Sequence, residues 1–217
     1  MSNVKRDPKK LGMTLKGTTT IAIVCKDGIV LSTDTRATAG FFVAHKNAKK
    51  VFPLDDHLAM TIAGTVADAQ NVVDILKANA LLYKLDKNRP MPVNSMARLA
   101  ANVLFGSRAY PLELQAIICG VDDTGAHIFA LDPLGSVTEE KCFSSGSGSP
   151  VAFGVLDDGY KEGITTNDGI RLVIRAIDAA MKRDIGTGDS FDVAIVTKEG
   201  YRELSAEDKK KFFETRA

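Results

Sequence analysis

The sequence predicts an α+β domain, built as a sandwich of β-sheets with a pair of helices covering each outer face. Strand and helix patterns come in blocks along the chain: strands, two helices, strands, two helices and a strand. A parallel sheet would instead require strands and helices to alternate one by one. With 217 residues, of which 45% are hydrophobic, the chain can bury the core of one domain.

The first block consists of four predicted strands in two hairpins, at residues 18–25, 29–36, 50–52 and 57–63. The turn Lys26-Asp27-Gly28 joins the first two strands. Gly64 ends the fourth strand. Thr65 follows it, and Asp68 three residues later predicts a capping box at the start of a helix.

Two helices are predicted next, separated by Pro90 and Pro92. Apolar residues recur at helical spacing in both. The first helix presents Val66, Ala69, Val73, Leu76, Ala80 and Tyr83, and the second presents Met96, Leu99, Ala100, Val103 and Leu104. A hairpin at residues 114–121 and 127–131 follows.

The last third of the chain is predicted to be mainly helical. A Ser/Gly-rich loop at residues 144–149 leads through Pro150 into a short helix, and Thr165 with Asp168 caps a longer one. The apolar face of the longer helix is formed by Ile170, Ile174, Ile177 and Met181. A buried strand at residues 191–197 and an exposed helix at 205–211 complete the chain.

Composition excludes several classes of function. A net charge of +1 provides no basic surface for nucleic acid or an anionic membrane. No apolar run approaches the roughly 18 residues of a transmembrane helix. The basic leader at residues 1–17 lacks the apolar stretch of about 7–15 residues found in secretory signals, so we expect a cytoplasmic protein. A frayed basic terminus is the plainer interpretation of this leader.

Cysteines and histidines give no sign of a metal site or a histidine-dependent triad. The three cysteines are odd in number, lack zinc-ligand spacing and are expected to be reduced core residues: Cys25, Cys119 and Cys142. The histidines are scattered, and none pairs locally with a cysteine or serine: His45, His57 and His127. Residues 146–150 lack the endings of a P-loop or a dinucleotide fingerprint, so a tight turn is the simpler interpretation.

The segment Gly17-Thr18-Thr19-Thr20 has two interpretations. Strand propensity alone explains three threonines before an apolar run. Cleavage after Gly17 would instead give Thr18 both a hydroxyl and a free α-amine, which can act as nucleophile and base. Such a nucleophile needs a cation, a carboxylate to hold the cation and an oxyanion donor. Asp34, Lys50 and Gly64 lie near predicted strand ends, but spacing alone does not bring them together.

The order of motifs resembles that of proteasome β subunits of the archaeal 20S type, which are N-terminal nucleophile hydrolases. The resemblance runs from Gly17 almost to the C-terminus. Its markers include Gly17-Thr18-Thr19-Thr20, Asp34-x-Arg36, the segment from His45 to Lys50, Met60-Thr61-Ile62-Ala63-Gly64, Gly146-Ser147-Gly148-Ser149-Pro150 and Met181-Lys182-Arg183-Asp184. It implies a four-layer αββα sandwich with two antiparallel sheets.

The resemblance also implies roles for particular residues. Residues 1–17 would be a propeptide removed by self-cleavage, and residues 18–217 the catalytic domain with Thr18 as nucleophile. Lys50 would lower the proton affinity of Thr18, Asp34 would hold Lys50, and the Gly64 N–H would form the oxyanion hole. A hydrogen-bond network around the α-amine would be formed by Ser147, Asp184 and Thr187. The last of these is usually serine in the family, and the extra methyl of threonine restricts χ1.

Substrate and partners are likewise implied by the resemblance. A pocket that is mostly small or apolar predicts cleavage after large hydrophobic residues, and its lining would be Ala37, Ala48, Ile62, Val66 and Gln70. Family members form seven-membered rings, two of β subunits between two of α subunits, and receive unfolded chains from an ATP-driven unfoldase. No metal or organic cofactor is implied. The alternatives are a structural β subunit that stays unprocessed or depends on assembly, and, less well matched, a small-molecule amidase.

Overall fold

The computed structural model describes residues 17–214, and the two sheets at its centre are antiparallel throughout. The strands in this part of the chain are β1 (Thr20–Cys25), β2 (Gly28–Asp34), β3 (Ala37–Ala39), β4 (Phe42–His45), β5 (Val51–Asp55), β6 (Leu58–Gly64), β7 (Leu114–Asp122), β8 (Gly125–Leu131), β9 (Val137–Glu140), β10 (Cys142–Ser145), β11 (Phe191–Thr197) and β12 (Gly200–Glu203). The helices are α1 (Val66–Lys87), α2 (Val93–Gly106), α3 (Ser149–Gly159), α4 (Thr166–Arg183) and α5 (Ala206–Glu214).

The strands are divided between two five-stranded sheets and one small hairpin. The first sheet has the order β10-β1-β2-β11-β12, and the second has the order β5-β6-β7-β8-β9. Strands β3 and β4 pair only with each other. Neighbours in both large sheets are antiparallel, whether a short turn joins them, as between β1 and β2 or β7 and β8, or helices α1 and α2 separate them, as between β6 and β7.

Three apolar clusters show that the molecule has four layers. Helices α1 and α2 pack on the second sheet, helices α3 and α4 pack on the first, and a third cluster joins the two sheets. Along β1, Ile21 and Ile23 face the helices while Ala22 faces the other sheet. Alternate residues of a strand point to opposite faces, so both faces of β1 are buried. The predicted helix–sheet–sheet–helix architecture is confirmed.

Several sequence predictions need correction. Thr65 precedes α1, but its side chain does not cap the helix and instead donates to Glu113 Oε2 at 3.2 Å. The Asp68 carboxylate accepts the backbone N–H of Glu113 at 3.0 Å, so both predicted cap residues are engaged by the chain before β7. The cap predicted at Thr165 is confirmed, since Thr165 Oγ1 accepts from the Asp168 N–H at 3.1 Å.

Strand boundaries also differ from the predictions. The strand predicted from Thr18 begins at Thr20, and the predicted Ser/Gly-rich loop is partly strand, because Ser144 and Ser145 belong to β10. Five strands of three or four residues were not predicted at all: β3, β4, β9, β10 and β12. Val66, placed on the buried face of α1, is 49% exposed.

Other predictions concern burial and the leader. Cys25 and Cys119 are buried free thiols, as predicted, and Cys142 is half-buried. Within residues 17–214, no helix combines the length and apolarity needed to cross a membrane. Residues 1–16 of the predicted leader lie outside the described part of the chain.

Candidate active site

Strand order in the first sheet gathers the candidate residues at one end. Thr20, at the start of β1, pairs with Ser145 at the end of β10 and with Thr33 near the end of β2. Asp34, the last residue of β2, pairs with Phe191 at the start of β11. The segments that precede β1 and β11 and those that follow β2 and β10 therefore come together at the same end of the sheet. Thr18, Asp34 and the loop after α4 come together there.

Lys50 is supplied from the second sheet, immediately before β5, and its ammonium group connects the site. Its Nζ donates to Thr18 Oγ1 at 2.9 Å, to Asp34 Oδ1 at 2.8 Å and to the carbonyl oxygen of Arg36 at 2.6 Å. An ammonium has three hydrogens, and these three acceptors use all of them. The geometry is therefore that of a charged lysine held in one orientation beside the Thr18 hydroxyl.

Asp34 is the buried counter-charge, and it accepts hydrogen bonds from four N–H donors. Its Oδ1 accepts from Lys50 Nζ and from the Thr19 backbone at 3.0 Å. Its Oδ2 accepts from the backbone N–H groups of Arg36 at 3.0 Å and Gly188 at 3.1 Å. A protonated carboxyl would need an acceptor, whereas all four hydrogen-bond partners that residues 17–214 give this one are donors, so Asp34 is ionised.

Burial acts on the pKa of both members of this ion pair. It lowers the pKa of Lys50 from its ordinary value, and the negative charge of Asp34 partly reverses the shift. Burial also raises the pKa of Asp34, and the Lys50 ammonium and the N–H groups of Thr19 and Gly188 oppose that shift. Each charge thus stabilises the other, and removing either one would leave the second buried without a partner.

The Thr18 hydroxyl lies between the lysine and the preceding peptide. Thr18 is only 6% exposed, and its Oγ1 accepts from Lys50 and donates to the carbonyl oxygen of Gly17 at 2.6 Å. The hydroxyl is therefore next to the carbonyl of the peptide bond that would be cut to expose Thr18. This arrangement suits an attack on that carbonyl.

Ser147, Asp184 and Thr187 form a second hydrogen-bonded group on the other side of Thr18. The Thr18 backbone N–H donates to Ser147 Oγ at 3.2 Å, and Ser147 Oγ donates to Asp184 Oδ2 at 2.5 Å. The Thr187 hydroxyl donates to the same carboxylate oxygen at 2.6 Å and lies 2.7 Å from Thr19 Oγ1. Ser147 therefore contacts the Thr18 nitrogen directly. Asp184 is connected to that nitrogen through Ser147, and Thr187 is bonded to Asp184 and lies beside Thr19.

Gly64, the predicted oxyanion donor, is the last residue of β6. Its φ of 141° is one that side-chain-bearing residues rarely adopt, and a Cβ there would collide with the carbonyl oxygen of Glu113. The position therefore requires glycine for structural reasons. Its role in stabilising an oxyanion stays a prediction.

The five predicted pocket residues differ in exposure. Ile62 is 4% exposed and belongs to the cluster between the second sheet and its helices. Val66 and Gln70 lie on the exposed surface of α1, whereas Ala37 and Ala48 are half-buried. The backbone N–H of Ala48 donates to the Thr35 carbonyl at 2.8 Å, which holds it near the end of β2. The pocket they would form stays a prediction.

Sequence reasoning missed a further group that supports the site. Arg36 donates from Nε to Asp189 Oδ2 and from Nη1 to the carbonyl oxygen of Ile185, both at 2.8 Å. Thr19 contributes its backbone N–H to Asp34 and its hydroxyl to Thr187. The Asp34-x-Arg36 motif was a sequence signal for Arg36, whereas nothing in the sequence marked Thr19 or Asp189 for these contacts.

The two adjacent lysines before β5 have different surroundings. Lys50 is 6% exposed and points into the site, whereas Lys49 is exposed and forms an ion pair with Glu203 of β12. Only one of the two is therefore placed to act on Thr18.

Comparison with known proteins assigns the family. A family model described as proteasome subunit matches residues 14–196. The chain belongs to the proteasome subunit family. Its β-type relatives include the proteasome subunit beta of Methanothermobacter thermautotrophicus, which is 48% identical over 202 residues, or 93% of this chain and 96% of that protein. That of Methanococcus aeolicus is 50% identical over 196 residues, covering 89% and 90% of the two chains.

A third relative extends the same pattern. The proteasome subunit beta of Methanosarcina barkeri is 48% identical over 197 residues, which is 90% of this chain and 93% of that protein. The resemblance to archaeal proteasome β subunits, a family of threonine-type endopeptidases, is thus confirmed. In this setting the proteasome fold places Thr18, Lys50 and Asp34 in contact.

Proposed function

We propose that this proteasome β subunit is catalytic and hydrolyses peptide bonds of unfolded proteins with Thr18 as its N-terminal nucleophile. In this proposal, residues 1–17 are a propeptide and residues 18–217 are the mature domain. The observation that carries the proposal is the contact of 2.9 Å between Lys50 Nζ and Thr18 Oγ1, with the lysine held by a buried Asp34. A threonine in a structural strand has no need of a buried ion pair beside its hydroxyl.

Peptide hydrolysis proceeds in two acyl-transfer steps. Thr18 Oγ attacks the scissile carbonyl carbon, and the α-amine of Thr18 takes the hydroxyl proton. The α-ammonium gives that proton to the leaving nitrogen as the C–N bond breaks, the amine product departs, and water then hydrolyses the ester. The Lys50 ammonium lowers the proton affinity of the nucleophile by its charge. An oxyanion donor such as the Gly64 N–H stabilises the transition state by on the order of 3 kcal/mol.

Removal of the leader uses the same hydroxyl. The Thr18 Oγ1 that lies 2.6 Å from the Gly17 carbonyl oxygen bonds to the carbonyl carbon of Gly17, and the Gly17–Thr18 C–N bond breaks. The hydroxyl proton ends on the Thr18 nitrogen, and water hydrolyses the resulting ester. Ser147 is placed to relay that proton, because its Oγ lies 3.2 Å from the Thr18 nitrogen and is held by Asp184.

Substrate preference follows from the proposed pocket. Ala37, Ala48, Ile62 and Val66 carry small or apolar side chains, and only Gln70 is polar. Apolar walls favour apolar side chains, since burying a charge there without a partner is costly. We expect cleavage after large hydrophobic residues, so peptides ending in Tyr or Leu before the reporter group should be cut faster than peptides ending in Arg. Faster cleavage after Arg would contradict the pocket assignment.

Assembly is part of the proposal. The relatives are subunits by name, and the chain is expected to form a seven-membered β ring that stacks with a second β ring between two α rings. An ATP-driven unfoldase would deliver unfolded chains to the enclosed chamber in the cytoplasm. Large apolar side chains are left exposed on the β3–β4 hairpin and on α1, where other subunits could cover them: Phe41, Phe42, Leu81, Leu82 and Leu85.

The first test is the intact mass of this chain after co-production with proteasome α subunits and isolation of complete particles. Loss of residues 1–17, which leaves Thr18 at the front, is the expected result. A mass that stays at 23.3 kDa in complete particles would instead establish a structural or partner-dependent subunit.

Thr18→Ala provides the matched comparison. We expect it to keep the leader and to have no peptidase activity, because both reactions use the Thr18 hydroxyl. A processed and active Thr18→Ala particle would contradict the assignment of the nucleophile.

A further inference from the structure

Gly17 and Gly186 pack backbone against backbone beside the Thr18 peptide. A Cβ built on Gly17 would lie 1.8 Å from Gly186 Cα, and a Cβ built on Gly186 would lie 2.2 Å from Gly17 Cα. Real Cβ atoms essentially never come within 3.0 Å of such a neighbour, and both neighbours are backbone atoms that cannot rotate away. Each residue therefore excludes a side chain on the other for as long as both are present.

The requirement at Gly186 does not come from its own conformation. Eight described glycines have a positive φ, and Gly186 is not among them. Its backbone therefore accepts alanine without strain. The lack of space is imposed by its neighbour, Gly17.

Cleavage of the leader removes that neighbour. Once the bond between Gly17 and Thr18 is broken and the leader departs, the next contact of a Cβ at position 186 is Ser147 Oγ, at 3.2 Å. That distance asks for a shift of only a few tenths of an ångström from Ser147 Oγ, against a clash at 2.2 Å with the Gly17 backbone in the full chain. The Gly186 N–H, which donates to Asp184 Oδ1 at 3.3 Å, does not depend on the absence of a Cβ.

We propose that Gly186 is a positioning residue for leader removal and is dispensable for peptide hydrolysis by the mature chain. It leaves the space in which Gly17 lies, and Gly17 in that space presents its carbonyl to the Thr18 hydroxyl. The step concerned is the one described above, in which the Thr18 Oγ–C bond forms, the C–N bond breaks and the proton moves to nitrogen before water splits the ester. This inference rests on the proposed function.

The experiment compares two forms of each variant in particles co-produced with proteasome α subunits. The first form is the full chain, and its mass is followed over time. The second form begins at Thr18, made by fusing ubiquitin directly before Thr18 and removing it with a deubiquitinating protease. Gly154→Ala is the control, because a Cβ at that position of α3 has no atom within 4 Å.

Gly186→Ala is expected to separate the two reactions. In the full chain it should slow leader removal about 100-fold, the loss typical of a reacting group displaced by roughly 1 Å. In the form that begins at Thr18, it should hydrolyse a fluorogenic peptide within about 2-fold of the unsubstituted form, because the new Cβ asks Ser147 Oγ to shift by only a few tenths of an ångström. That activity also shows that the variant folds and assembles. Gly154→Ala should match the unsubstituted chain in both forms.

Two results would overturn the inference while leaving the proposed function intact. One is leader removal by Gly186→Ala at the unsubstituted rate. The other is an equal loss of leader removal and of peptide hydrolysis in the pre-trimmed form, which would make Gly186 a general structural residue. An unsubstituted chain that keeps its leader in complete particles would instead defeat the proposed function, and this inference with it.

Discussion

Arg36 is joined to Asp189 by a hydrogen bond of 2.8 Å from Nε to Oδ2, across 153 positions of sequence. The Arg36 guanidinium packs against Gly188, whose backbone N–H donates to Asp34 Oδ2 at 3.1 Å. The guanidinium leaves no space for a Cβ on Gly188. The pair therefore holds in place a peptide group that stabilises the buried carboxylate of the site.

Asp189→Asn tests this role. Asp189 has a φ of 64°, which asparagine also tolerates, so the substitution removes the charge and keeps the backbone. We expect peptide hydrolysis to fall about 10-fold, a smaller loss than for a 1 Å displacement of the site, with little change in the unfolding midpoint. The measurement is kcat with the midpoint of thermal unfolding. An unchanged kcat would show that Gly188 is held without this pair.

Asp34 and Lys50 should be coupled in stability. Asp34→Asn or Lys50→Met alone leaves one buried charge without its partner, which costs about 3–5 kcal/mol of unfolding free energy. The double variant removes both charges and should cost less than the sum of the two single variants. Denaturant unfolding of all four proteins measures the coupling. Strictly additive losses would mean that the two charges do not stabilise each other.

Peptide hydrolysis and leader removal should depend differently on pH. The mature chain needs a neutral α-amine as base, so its rate should rise as pH increases through the pKa of that amine. This midpoint should therefore lie near the ordinary α-amine range of about 7.7–8.0. The precursor has no α-amine at Thr18, so leader removal should lack this acid limb. Identical acid limbs in the two reactions would rule out the amine as base.

At high pH both reactions should decline because the Lys50 ammonium is lost. Burial lowers the pKa of Lys50, so the ammonium is present below that lowered value and is lost as pH rises through it. The midpoint of the alkaline limb should therefore lie below the ordinary lysine value of 10.5. The measurement is kcat/KM against pH with a short peptide, over a range in which the particle stays assembled. A midpoint at or above the ordinary value would contradict the assignment.

The Thr187 hydroxyl should be needed for full rates of leader removal and peptide hydrolysis, whereas its methyl group should not. Thr187→Ser keeps the bond to Asp184 and should retain nearly full activity. Thr187→Val keeps the shape but leaves Asp184 Oδ2 and Thr19 Oγ1 one partner short, at a cost of about 1–3 kcal/mol of unfolding free energy. Leader removal and peptide hydrolysis should both slow in this variant. Equal rates for the serine and valine variants would remove Thr187 from the site.

Much of the fold could be predicted because long apolar patterns specify it. Helix α4 was predicted from Ile170, Ile174 and Ile177, all of which are buried. The missed strands have three or four residues and largely half-exposed side chains, so they lack the alternation that reveals longer strands. The cap at Thr165 was predicted correctly from local sequence. The cap predicted at Thr65 does not form, because Glu113, distant in sequence, binds the side chains of both Thr65 and Asp68.

The site could be predicted only as a set of residues. Spacing suggests no contact between Asp34 and Lys50, which are 16 positions apart, or between Thr19 and Thr187, which are 168 apart. These contacts arise because β1, β2 and β11 lie side by side in the first sheet. Lys50, which precedes β5 of the second sheet, lies at the same end of these three strands. Pairing between distant strands is a tertiary property, so local patterns do not reveal it. Motifs known from relatives supplied what the patterns lacked.

Lys49 and Lys50 have contrasting surroundings, so the alignment of β5 on β6 determines which side chain lies beside the Thr18 hydroxyl. Val51 pairs with Thr61, and this pairing fixes which of the two lysines turns inward. A slip of one residue would exchange the faces, because side chains alternate along a strand. A slip in the direction that puts Val51 in the place of Lys50 would leave no ammonium beside Thr18, and Lys50 would face away from the site. A fault in the alignment of two strands would thus inactivate the subunit without changing a single amino acid.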